Sequence, residues 1–98
     1  MAEFVVTAQE VKNKAMELKR LNAEFKKASD DLESEEMRLN TMWEGDAHDN
    51  FDMAFKKDKV HLQNFYNAIE DYCIKLDEIA VNYATAEARN ASLAAGQE

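Results

Sequence analysis

The sequence predicts an all-α fold: an antiparallel two-helix hairpin that dimerises into a four-helix bundle. Three observations predict it. Val11, Leu18, Phe25, Leu32 and Leu39 fall seven apart, and Phe55, Leu62, Ile69, Leu76 and Tyr83 resume the spacing after one interruption at Trp43-Glu44-Gly45. A sustained seven-residue apolar column marks a long helix whose seam always faces the same neighbour. The chain has no proline and only two glycines, Gly45 and Gly96, too few turn-formers for an all-β protein. With so short a break around one internal glycine, the helices must fold back on each other.

The 98 residues read as a single domain: helix 1 over about 7–42, a turn at 43–46, helix 2 over about 47–88 and a flexible tail at 89–98. Thr7 and Glu10 form the S/T-x-x-E pattern of a capping box. The Thr7 hydroxyl accepts from a first-turn amide, Glu10 reaches back to the Thr7 amide, and Val6 and Val11 flank the pair as a staple. A second seam column in helix 1 reads Leu21, Ala28 and Met42, with Lys14 and Glu35 as exceptions. Helix 2 opens with Asp46, Asp49 and Asp52, acids that suit the positive end of a helix. Its second column is Phe51, Asp58, Phe65, Tyr72, Ile79 and Ala86, and a third column, Tyr66, Cys73 and Ala80, widens the apolar face. Periodicity fades after Glu87.

Charge supports the same arrangement. Residues 12–27 carry six bases against two acids. Folding at the turn sets the outer part of that stretch beside Glu70, Asp71, Asp77 and Glu78, and sets Asp30, Asp31 and Glu33 beside Lys56, Lys57 and Lys59. In that register Leu32 meets Phe55, Phe25 meets Leu62, Leu18 meets Ile69 and Val11 meets Leu76. Ordering a residue costs ~1–2 kcal/mol of backbone entropy, and burying a large apolar side chain returns ~1.5–3 kcal/mol. A single seam closes that gap poorly, so a second hairpin is expected to cover the remaining apolar face. Leu18, Phe25, Leu32, Phe55, Leu62, Phe65, Ile69, Tyr72 and Leu76 form the expected core and dimer seam.

A formal charge of −8 disfavours DNA, RNA and anionic lipid, all of which need a basic patch. No window approaches the ~18 apolar residues of a membrane span, so neither nucleic-acid binding nor membrane insertion is expected. The start, Met1-Ala2-Glu3-Phe4-Val5-Val6, has an acid where a signal peptide needs a base. Cys73, the only cysteine, reads as a small buried residue, with an intermolecular disulfide as the alternative. Asp58 and His61 share a helix face, but a di-metal bundle needs more carboxylates and histidines than this chain supplies. His48 and His61 read as surface or interface residues. No phosphate loop, H-E-x-x-H or G-x-S-x-G motif is present. No cofactor, metal or catalytic residue is expected, and the chain does not read as an enzyme.

Trp43-Glu44-Gly45 at the midpoint, and Tyr83-Ala84-Thr85-Ala86-Glu87 near the end of helix 2, give the chain a family resemblance. It resembles the WXG-motif family, the early secretory antigenic target-like proteins, along its whole length. The first segment matches that family's turn motif and the second its Tyr-x-x-x-Asp/Glu element. The resemblance implies a small, virulence-associated substrate of a type VII secretion system. Such a protein would be cytoplasmic before export and secreted without a cleaved signal peptide. It would pair as a homodimer, or as a heterodimer with a related helical hairpin, and meet the secretion ATPase. Trp43, Tyr83 and Glu87 are the export-signal residues that it implies, assembled in an antiparallel dimer from the turn of one chain and the far end of the other. Two alternatives stand beside this reading: a targeting partner or chaperone of a larger type VII toxin, and a cytosolic helical adaptor with no export role.

Overall fold

The computed structural model describes residues 6–96. Two helices account for nearly all of them: α1, Ala8–Met42, and α2, Asp46–Gly96. They form an antiparallel rod 81 × 24 × 21 Å.

α1 starts where its cap places it. The Glu10 amide donates to Thr7 Oγ1 at 3.1 Å and the Val11 amide to the Thr7 carbonyl at 3.1 Å. The return bond from the Glu10 side chain is not made, and Glu87 supplies an acceptor for this first turn, as described below. α2 runs past the boundary expected at residue 88 and ends at Gly96. Ala91, Leu93 and Ala94 are good helix formers, and nothing before Gly96 breaks the ladder. The expected tail at 89–98 is therefore helical through Gly96, and residues 97–98 lie outside the described ones.

The helices meet along a seam that the apolar columns identify only in part. The first columns hold except at Leu32 and Tyr83, which are exposed: Val11, Leu18, Phe25 and Leu39 on α1, and Phe55, Leu62, Ile69 and Leu76 on α2, are all half-buried. The second columns do not. On α1 the inner flank is Ala15, Asn22, Ser29 and Glu36, leading into Trp43, whereas Leu21 and Met42 are 46% and 76% exposed. On α2 the inner flank is the third column: Tyr66 is half-buried, Cys73 fully buried and Ala80 buried, while Phe65 and Tyr72 stand 54% exposed. At Ala15, Cys73 and Ala80, away from the larger Tyr66, Glu36 and Trp43 on the same flanks, the physical reason is size. Ala15, Cys73 and Ala80 are small enough to let two backbones approach closely. A Phe or Tyr in their places would hold the helices apart.

Leu32, Phe65 and Tyr72, three of the expected seam residues, accordingly line an outer face of the hairpin. Phe25 lies at its edge, its ring 5.2 Å from that of Phe65. The antiparallel register follows the charges: Lys19 pairs with Asp77 at 3.4 Å, and Lys59 pairs with Glu33 at 3.3 Å and Asp30 at 3.7 Å. Pairs this exposed contribute ~0–1 kcal/mol each. They select an alignment that the seam then stabilises.

Candidate functional site

The residues that the sequence singles out lie at the turn and, on α2, near the level where α1 begins, short of the end of α2 at Gly96. At the turn, Trp43 is extended, with φ −130° and ψ 123°. Gly45 has φ +114°, a backbone conformation available to glycine and strained for any side chain. A Cβ on Gly45 would meet nothing within 4 Å, so the requirement for glycine comes from the backbone and not from crowding. The Gly45 carbonyl accepts from the Asp49 amide at 3.0 Å, opening α2. This bend folds the half-buried Trp43 ring back onto the first turns of α2, 5.3 Å from the His48 ring and 5.8 Å from Phe51. Phe51 in turn stacks on Phe55 at 6.4 Å. One edge of the indole is thus committed to its own chain and the remainder faces outward.

Beneath the indole lies a polar network that the heptads do not reveal. His48 Nε2 bonds Asn40 Oδ1, and Asn40 Nδ2 donates to Asp52 Oδ1 at 3.4 Å. Lys56 pairs with Asp52 at 2.8 Å. Glu36, only 7% exposed, faces Asp52 from α1, and its Oε1 has no hydrogen-bond partner. The Asp52 carboxylate next to it, together with burial, pushes the Glu36 carboxyl above its ordinary range. Asp52, held by Glu36 and Lys56, is pushed down to about 2. The pair thus shifts in opposite directions, Glu36 up and Asp52 down, each carboxyl acting on the other. A signal for this network does exist in the sequence. Glu36 and Asn40 on one helix, and His48, Asp52 and Lys56 on the other, follow i, i+4 spacing on either side of the turn.

Near the level where α1 begins, Tyr83 and Glu87 lie one turn apart on α2, where they share a face. Tyr83 is 43% exposed and does not pack in the core. Glu87 Oε1 accepts from the Ala8 amide at 3.0 Å. Roughly 55 Å of helix separates Trp43 from Tyr83, at ~1.5 Å per residue. One chain therefore does not bring the three residues together.

Other candidates resolve simply. Cys73 is 0% exposed and burial pushes its thiol up, so it is unreactive and out of reach of a second chain while the hairpin is closed. Asp58 and His61 are exposed. Among the described residues, no group of three or more His, Cys, Asp or Glu side chains is placed to hold a metal ion, and no helix is long and apolar enough to cross a membrane.

Comparison with known proteins bears on the chain as a whole. The profile of the family described as proteins of 100 residues with WXG, WXG100, matches residues 3–88. No curated protein matches. The fold resembles the crystal structure of a secreted protein, EsxB, from Bacillus anthracis str. Sterne. The TM-score is 0.77 at 24% identity, over 89% of this chain and 99% of that one. A single-substitution mutant of that EsxB gives the same score and identity, over 89% of this chain and 97% of that one. At this level of identity the likeness speaks for the hairpin alone.

Proposed function

The chain belongs to the WXG100 family, and from that premise we propose that it is a type VII secretion substrate that works as a dimer of hairpins. It acts by protein contact and not by catalysis. Trp43 of one chain and the Tyr83/Glu87 pair of the other form its export signal, read by the secretion ATPase.

The observation that carries this reading is the uncovered face. Leu21, Leu32, Phe65, Tyr72 and Ile79 stand 41–54% exposed on a chain of net charge −8. Large apolar side chains exposed along one face mark an interaction surface, and a second hairpin laid against it completes a four-helix bundle. An antiparallel partner also sets the turn of one chain beside the far end of the other. That arrangement offers a route for Trp43 to meet Tyr83 and Glu87 despite their separation within one chain.

The test is secretion. Supernatant and cell-pellet amounts are compared for Trp43→Ala, for Tyr83→Ala/Glu87→Ala, and for Trp43→Ala co-expressed with Tyr83→Ala. Each variant alone blocks export while remaining folded, and the mixed pair restores part of it, because one of its two composite patches is intact. Normal export of the folded Tyr83→Ala/Glu87→Ala variant removes the signal. A mixed pair that fails to be exported, with heterodimers shown to form, refutes sharing between chains.

A further inference from the structure

Glu87 has a partner inside its own chain. The first turn of a helix leaves its amides without intrahelical acceptors and carries partial positive charge. In α1, Thr7 Oγ1 takes the Glu10 amide at 3.1 Å, and Glu87 Oε1 takes the Ala8 amide at 3.0 Å, a bond that spans 79 positions. Its position along α2 gives this bond weight. Among the described residues Ala80 is the last buried one on α2, and every residue from Val81 through Ala94 is exposed. On α2, burial has therefore ended a full two turns before Glu87, although Ala8 on α1 is still half-buried. The carboxylate ties the start of α1 to α2 at a place where side-chain burial does not.

We propose that Glu87 is a clasp on the open end of the hairpin, closed in the free protein, and that both oxygens of its carboxylate become available to an outside reader only when the first turn of α1 lets go. The inference rests on the reading of Tyr83 and Glu87 as an export signal and adds its regulation. In the closed form the exposed Tyr83 is presented while one oxygen of the acid four residues on is engaged by the Ala8 amide.

One substitution separates the clasp from the signal. Ala8 is the first helical residue after the Thr7 cap, a position at which proline is well tolerated because its missing N–H is not needed by the helix. Thr7 has φ −89° and ψ 159°, the extended conformation that the residue before a proline adopts. Ala8→Pro therefore deletes the donor to Glu87 and keeps the backbone.

Melting temperatures are measured for Ala8→Pro, Glu87→Ala and the double variant, with export followed at early times. Hydrogen exchange at the Ala8 amide is compared between the wild type and Glu87→Ala. With a clasp, Glu87→Ala lowers the melting temperature by several degrees in the wild type and not in the Ala8→Pro background, and it speeds exchange at Ala8. Export of Ala8→Pro alone runs several-fold faster than that of the wild type. Additive melting shifts with unchanged exchange at Ala8 overturn the clasp. Coupled shifts with wild-type export of Ala8→Pro overturn its gating role. Normal export of Glu87→Ala is a different failure: it removes the export signal, while the melting cycle still decides whether the clasp exists.

Discussion

Asn22 donates its side-chain amide to the backbone carbonyl of Tyr66 at 3.1 Å, across the middle of the hairpin, with Asn22 itself only 3% exposed. It is the one polar side chain of α1 that reaches the main chain of α2 from within the seam. A buried amide with a single available partner penalises any slide of one helix along the other.

Asn22→Ala should therefore lower stability by about 1 kcal/mol, a modest loss because the unpartnered Oδ1 leaves with the amide. Asn22→Asp should cost clearly more, since a carboxylate only accepts and would face the Tyr66 carbonyl away from water. Chemical denaturation of both variants gives the order. An Asp variant as stable as the Ala variant would show that the seam opens to solvent at this level.

The carboxyl pair at the turn makes stability depend on pH with opposite signs for its members. Glu36 is raised above its unfolded value, so its contribution is full below the ordinary carboxylate range and is lost as pH rises through its folded value. Asp52 is depressed to about 2, so its contribution is present above the ordinary Asp range and is lost as pH falls toward that value. The wild type should melt highest in mildly acidic solution and decline toward neutrality. Glu36→Gln keeps a donor for Asp52 without a proton to lose, and its melting temperature should stay flat over the same rise. Parallel pH profiles for the two proteins would refute the coupling of Glu36 to Asp52.

Gly45→Ala tests the turn. With open space around the added methyl but φ at +114°, the cost is conformational, about 1–3 kcal/mol. Circular dichroism should show an intact helical protein with a lower unfolding midpoint. A loss of helix would mean that the turn tolerates no alternative path, and an unchanged midpoint would mean that α2 starts elsewhere in solution.

Inner and outer columns should respond differently to charge. Leu62 and Ile69 are half-buried in the hairpin, whereas Tyr72 is 54% and Ile79 41% exposed. Tyr72→Asp and Ile79→Asp should weaken the dimer at least about tenfold while preserving helicity. Leu62→Asp and Ile69→Asp should lose helicity as well. Analytical ultracentrifugation beside circular dichroism distinguishes the two classes. A Tyr72→Asp protein that remains a wild-type dimer would place the interface on another face.

Local rules, readable along one chain, determined a great deal here. The Thr7 cap, the sevenfold columns, the Trp43-Glu44-Gly45 break and the pairing of Lys19 and Lys59 with acids on the other helix all follow from spacing and charge. Tertiary structure decided which flank of each column turns inward. Apolar periodicity favoured Leu21 with Met42 on α1, and Phe65 with Tyr72 on α2. The hairpin instead buries Ala15, Asn22, Cys73 and Ala80 and leaves the larger groups outside. Hydrophobicity ranks side chains one at a time, whereas the approach of two backbones depends on the combined size of the residues that face each other. The same limit hid the Glu36–Asp52 pair and the Glu87 bond to Ala8, because each exists only when two distant stretches of chain bring their groups to one place.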